Sequence, residues 1–163
     1  MPDALAIIKR AIAEHHTIRE HVKLAGDTIS DFEALVTLQQ QQSGWSQTSV
    51  ADMIEKQSQM QKTTSFMEHG LRNHFDFEER DLLPLLGELL QKAILNEHRE
   101  VYRQIDNTKA TLAGIKLEGL EQRELLSKRS EIQHAINKLF QAVDEHMRNE
   151  EMVLGMMIKG LEA

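Results

Sequence analysis

Cysteine is absent from this 163-residue chain. That excludes disulfides, thiolate chemistry and the Cys-ligated zinc and iron–sulfur sites. Proline occurs twice and aromatic residues make up 4% of the chain, so little interrupts a helix and little favours a strand. No apolar run approaches the ~20 residues needed to cross a bilayer. The segment Met1–Arg10 lacks a signal peptide's order of basic then apolar residues. The expectation is a soluble cytoplasmic protein with no membrane contact. Excess positive charge is lacking too. The formal charge is −7, which gives no footing for nucleic acid and mainly implies solubility.

Leu, Ile, Glu, Gln, Lys and Ala are abundant, and that balance favours an all-α protein. The length fits one domain over residues 1–163 with a substantial core. Apolar residues recur at three- and four-residue steps over long distances. Leu5, Ile8, Ile12, His15, Val22, Ile29, Phe32 and Val36 trace a first helix from about Asp3 to Gln41, which Gly26 could kink. The segment Ser43–Thr48 breaks the pattern as a loop. A second helix runs from about Ser49 to Leu86 along Val50, Ile54, Met60, Met67, Leu71, His74, Glu78 and Leu82. Pro84 should end or kink it, and Gly87 should stop it. A third helix spans about Glu88 to Ala113, with His98, Val101, Tyr102 and Ile105 on its stripe. Gly114 and Gly119 bracket the next turn. A fourth helix spans about Leu120 to Lys159, through Ile132, Leu139, Val143, His146, Glu150 and Met157. Short connections make neighbours antiparallel, so the expected architecture is an up-down-up-down four-helix bundle.

Two copies of one pattern stand out. His74–Glu78 and His146–Glu150 are both His-x-x-x-Glu, and each is followed at once by a second acid, Glu79 or Glu151. Residues four apart on a helix lie on one face, so each segment presents an imidazole and a carboxylate toward one point. Counting along antiparallel helices puts His15, His74, His98 and His146 roughly 15–20 Å from the same end of the bundle. A lone histidine on an apolar face is more often a hydrogen-bonded core residue than a ligand. Four in one layer with two carboxylates a turn away are different, because burying two glutamates uncompensated would cost several kcal/mol each. Cations offset that burial. Imidazole with carboxylate and no thiolate suits iron, manganese or zinc more than copper(I). Each glutamate could bridge two ions, leaving two histidines per ion and open coordination positions. The spacing differs from the Glu-x-x-His of ferritin-like di-iron proteins.

At these residues the sequence resembles the hemerythrin-like (HHE cation-binding) family, over nearly the whole chain. Glu14-His15-His16-Thr17-Ile18 is similar to the family's first-helix Glu/Asp-His-x-x-Ile. The run from His74 to Pro84 is similar to its His-Phe-x-x-Glu-Glu-x-x-Leu-x-Pro. Glu97-His98-Arg99-Glu100-Val101 resembles its third-helix Glu-His-x-x-Ile/Val, and His146–Glu151 its His-x-x-x-Glu-Glu. The resemblance implies a non-haem di-iron centre with an oxo or hydroxo bridge. His15 and His74 would bind one iron, His98 and His146 the other, and Glu78 and Glu150 would bridge. One position departs. Oxygen-carrying hemerythrins have a second histidine a turn after the first on the third helix, and here Tyr102 stands there. That moves the chain toward the four-histidine, two-glutamate relatives, which include nitric-oxide-responsive iron-cluster repair proteins and an iron-sensing ubiquitin-ligase subunit.

His16 competes with His15, but the stripe through Ile8, Ile12 and Val22 favours His15. His21, His69 and His134 fall off their stripes and read as surface residues. Glu79 and Glu151 are rotated about 100° from the ligand face and read as surface or supporting groups. Tyr102 should point at the metal layer, either as a packed aromatic or as a phenol beside the cofactor. Phe75, Phe77 and Met147 should wall the site. These readings favour a di-iron protein that binds or senses oxygen, nitric oxide or peroxide. A small di-iron oxidoreductase, an iron store or donor, and a metal-free interaction bundle are the alternatives. The outer halves of helices one, two and four leave room for a protein partner or a second copy.

Overall fold

The computed structural model describes residues 3–41 and 47–163, with side chains at 28, 33–41, 47–49 and 122 left aside. Four long helices pack together: α1 Ala4–Gln41, α2 Gln47–Phe77, α3 Glu88–Gly114 and α4 Gln122–Glu162. No strand occurs among the described residues. No described helix is long and apolar enough to cross a membrane. Most of the expected loop after α1, residues 43–46, lies outside the described residues. Gln47 and Thr48, expected in that loop, belong to α2. Gly26 does not end α1, which runs through it as one helix.

The junction after α2 differs from a helix carried to Leu86. The α-helix stops at Phe77. A π-helical turn, Glu78–Leu82, and a 3₁₀ turn, Leu83–Leu85, follow. Pro84 has no N–H to offer the carbonyl of Arg80 and crowds it, so regular α hydrogen bonding fails here. The Leu83 N–H donates instead to the Glu78 carbonyl, five residues back. Gln91 closes the junction, its side-chain amide donating to the Leu83 and Leu86 carbonyls at 2.9 and 2.8 Å. At the far end of α3, buried Gln57 donates to the Leu112 and Ile115 carbonyls at 2.7 Å each. Gly119, at φ 75°, turns the chain toward α4 in a conformation that residues with a Cβ rarely adopt.

The core is layered along the helices. One apolar cluster holds Phe32, Met53, Met60, Leu112, Leu125 and Ile132. A second holds Ile18, Met67, Leu71, Phe75, Val101, Ile105, Leu139, Val143 and Met147. A third holds Ile7, Ile8, Ala11, Phe77, Leu82 and Leu154. Burying each large apolar side chain contributes about 1.5–3 kcal/mol, so these layers supply the bulk of the folding drive. Between the second and third clusters the apolar packing gives way to His15, His74, Glu78, His98, His146 and Glu150. All six are at most 2% exposed. A polar layer this dry survives only where its groups partner one another or a ligand.

Candidate metal centre

Each main helix carries one imidazole of the layer: His15 on α1, His74 on α2, His98 on α3 and His146 on α4. Glu78 opens the π turn directly after α2, and Glu150 sits one turn beyond His146. The ring centroids fall into two close pairs, His15 with His74 at 4.9 Å and His98 with His146 at 4.8 Å. Between the pairs, His15 and His146 are 6.2 Å apart.

Glu78 divides its two oxygens between those pairs. Its Oε1 faces His15 Nε2 at 3.3 Å and also His74 Nε2. Its Oε2 faces His98 Nε2 at 2.9 Å and His146 Nε2 at 3.6 Å. Glu150 is split likewise, with Oε1 3.2 Å from His15 Nε2 and Oε2 3.3 Å from His146 Nε2. Ligand atoms at about 2.1 Å from one ion, at right angles, stand roughly 3 Å from each other. The spacing therefore suits atoms meant to share a cation.

Hydrogen bonding does not complete this layer. Among the described residues, His74 Nε2, His146 Nε2 and both Glu150 oxygens have no hydrogen-bond partner. Elsewhere in the core Thr64 and Thr108 donate to carbonyls at 2.8 Å, and outside the layer Arg129 Nε is the one described buried side-chain atom left without a partner. Ligand atoms of His15, Glu78, His146 and Glu150 all lie within 4.8 Å of one another, and this buried His/Glu group could hold a metal ion. The chain matches no family model, no curated protein and no solved structure.

Electrostatics agree with a site built for positive charge. Burial opposes charge on His15 and His146, yet the carboxylates of Glu150 and Glu78 outweigh it and hold the His15 imidazole up at about 9. Glu78, Glu97 and Glu150 do the same for His146, which is held at about 10. Glu78 is pulled far below the usual carboxylate range. Burial opposes this, and the four surrounding imidazoles overcome it. Glu150 goes the other way, raised first by burial and then by the adjacent Glu78. The carboxylates of the layer thus favour positive charge beside them.

Each imidazole is held from outside as well. Glu14 accepts from His74 Nδ1 at 3.2 Å, Glu79 from His98 Nδ1 at 2.9 Å, Glu97 from His146 Nδ1 at 3.0 Å and Glu151 from His15 Nδ1 at 3.2 Å. Each of these bonds crosses to another helix, so four carboxylate–imidazole links run around the layer. With Nδ1–H donating outward, the Nε2 lone pair of a neutral ring points inward, as metal ligation requires.

His16 is different: 80% exposed at its side chain and 3.7 Å from Glu20, while His15 is fully buried. His69 and His134 are exposed, and His21 is half-buried against Phe66. Phe75, Phe77 and Met147 are buried beside the layer. Tyr102 is half-buried and meets Phe75 edge-on at 5.4 Å, with the Arg72 guanidinium 4.7 Å above its ring. Among its described contacts none is with an imidazole of the layer.

Of two hollows, one is remote from the layer and one reaches it. A cavity of about 680 Å³, lined by Val50, Ile54 and residues 117–121, lies 24 residues along α2 from His74, roughly 36 Å away, too far for the layer's chemistry. A cleft of about 190 Å³ between α3 and α4, lined by Asn96, Glu97, Glu100, Ala142, Glu145 and His146, reaches a layer imidazole from the surface.

Proposed function

We propose that this chain is a non-haem di-iron protein of the hemerythrin-like kind that binds or senses oxygen, nitric oxide or peroxide. In this reading the chain is one up-down-up-down antiparallel bundle. Its support is that Asp31 of α1 pairs with Lys56 of α2 while Glu14 of α1 pairs with His74 of α2, so these two helices run opposite ways. His15 and His74 hold one ion, His98 and His146 the other, and Glu78 and Glu150 span both.

The observation that carries the reading is the way Glu78 assigns one oxygen to each imidazole pair, inside a layer that leaves four polar atoms without hydrogen bonds. Two imidazole pairs, each facing its own Glu78 oxygen, supply donors for two ions. Nitrogen and oxygen donors without sulfur suit iron, with manganese and zinc as competitors. When bound, such a centre supplies open positions for a small ligand and one-electron chemistry. The protein's own part is to orient four imidazoles, keep water scarce with Phe75, Phe77 and Met147, and leave a narrow cleft beside His146.

Elemental analysis and an absorption spectrum of anaerobically purified protein test the assignment directly. Two irons per chain are expected, and a preparation that takes up no stoichiometric metal removes it. The second reading, a small di-iron oxidoreductase, uses the same ligands. Rapid mixing of the reduced protein separates the two: reversible binding without turnover is expected, and sustained consumption of peroxide or nitric oxide would favour the enzyme.

A further inference from the structure

We propose that the two metal positions are unequal, the His98/His146 position being the tighter, and that four outer carboxylates with two arginines set the difference. This rests on the di-metal reading above and goes beyond it, since each position has the same inner donor types, two imidazoles with Glu78 and Glu150 beside them.

The asymmetry lies one layer out. Glu151, behind His15, is clamped by both terminal nitrogens of Arg19 at 2.7 Å. Glu14, behind His74, is paired with Arg10 at 2.7 Å. Both carboxylates serving the first pair are thus neutralised by a cation. The second pair is served differently. Glu97, behind His146, has the neutral amide of Asn149 at 2.6 Å. Glu79, behind His98, has no other partner among the described residues. Nearby cations are engaged elsewhere: Arg72 with Glu68 and the Tyr102 ring, Arg80 with Asp81, Arg99 with Asn96, Arg148 with Asp144.

A carboxylate accepting from Nδ1–H pushes electron density onto the imidazole and raises its strength as a ligand. An arginine on that same carboxylate withdraws part of the effect and adds a repulsive charge of its own. Both consequences weaken the His15/His74 position relative to the other. The arginines are partly exposed, 56% for Arg10 and 42% for Arg19, so their influence is reduced by solvent but not abolished. Glu14, Glu79, Glu97 and Glu151 act through the imidazoles and are positioning residues.

Calorimetric titration of the metal-free protein with zinc, a redox-inert probe, tests this. Wild type should bind two ions in two resolved steps. Glu79→Gln should weaken the tighter step about 10–100-fold and leave the other in place, whereas Glu14→Gln should weaken the looser step by a similar factor. The double change Arg10→Gln with Arg19→Gln should tighten the looser step and narrow the gap between the two. The thermal stability of the metal-free variants, measured alongside, separates ligand tuning from damage to the fold. Two ions binding with one common affinity would overturn the inequality while leaving the di-metal reading standing. So would Glu79→Gln and Glu14→Gln weakening the same step. No binding by wild type would remove both.

Discussion

Phe75 lies flat on His98, with ring centroids 3.9 Å apart and planes 11° from parallel. The same ring meets His146 edge-on at 5.2 Å. One aromatic side chain therefore sets the planes of both imidazoles in one pair. Phe75→Ala should cost about 3–5 kcal/mol through the cavity it leaves. For a chain of this length that lowers Tm by roughly 6–20 °C, at 2–4 °C per kcal/mol. Phe75→Leu restores most of the volume without the flat surface. It should keep more of the stability yet still loosen metal binding at His98. Equal metal affinity in Phe75→Leu and wild type would reduce Phe75 to packing.

Phe75 also bears on Tyr102, which it meets edge-on. Burial, the leading influence, raises the Tyr102 hydroxyl to about 12, so it stays protonated at ordinary pH. A phenol packed against Phe75 and Arg72 has no described contact with the imidazoles. Tyr102→Phe should keep full metal content and react with peroxide or oxygen within about twofold of wild type, well under 1 kcal/mol in barrier. A slowing of tenfold or more in rapid mixing would restore the hydroxyl to the chemistry.

The helices and the polar layer were legible because both follow from the 3.6-residue period. Apolar stripes marked the helices, and counting from the turns put four histidines at one height. The π turn was not legible. Over five residues, Glu78–Leu82, the α and π patterns of buried residues scarcely differ, and only Pro84 warned that α hydrogen bonding must fail. Glu79 and Glu151 were assigned to surface or supporting positions, and the structure sets them on His98 and His15. Glu14 and Glu97 were overlooked as partners. Each directly precedes a layer histidine, rotated about 100° onto the helix flank. Whether that flank meets solvent or a neighbouring helix depends on how the helices are arranged around the bundle, which no local pattern encodes. The signal was present all the same: an acid directly precedes His15, His98 and His146 and directly follows Glu78 and Glu150, though none adjoins His74.

Glu150 is the least comfortable group in the layer. It is 1% exposed, neither oxygen has a hydrogen bond, and burial together with Glu78 raises its carboxyl. Such a group suits a cation and burdens the metal-free fold. Glu150→Gln removes the charge at nearly constant volume. The metal-free variant should lose the repulsion between two buried carboxylates, a gain of at most about 1–3 kcal/mol that the weaker hold on the His15 and His146 protons reduces. It should also lose at least one of the two ions. Thermal unfolding and metal content, measured on the same preparations, check both halves. A variant that is less stable and still fully loaded would contradict the role given to Glu150.

Protons and metal compete for the same nitrogens, and this fixes opposite pH trends for the two forms. His15 is held at about 9 and His146 at about 10, against an ordinary 6.5. A raised folded value means that the metal-free fold keeps protons the unfolded chain has released. That stabilisation is complete below about pH 6.5 and is lost as pH rises through 9 to 10. Glu78, pulled down by its imidazoles, acts in the other direction, its contribution present above the unfolded value of 4.5 and lost as pH falls. Metal-free protein should therefore show its highest Tm near pH 5–7 and a decline toward pH 10. Metal binding needs the same Nε2 atoms deprotonated, so affinity should rise over the interval where metal-free stability falls. Near pH 7–8 loading should expel about two protons, one each from His15 and His146. Titrations in buffers of different ionisation enthalpy count those protons. A metal-free Tm that climbed from pH 7 to 10, or loading without proton release, would mean that the imidazoles are neutral in the metal-free fold and that Glu78 draws its stabilisation from another source.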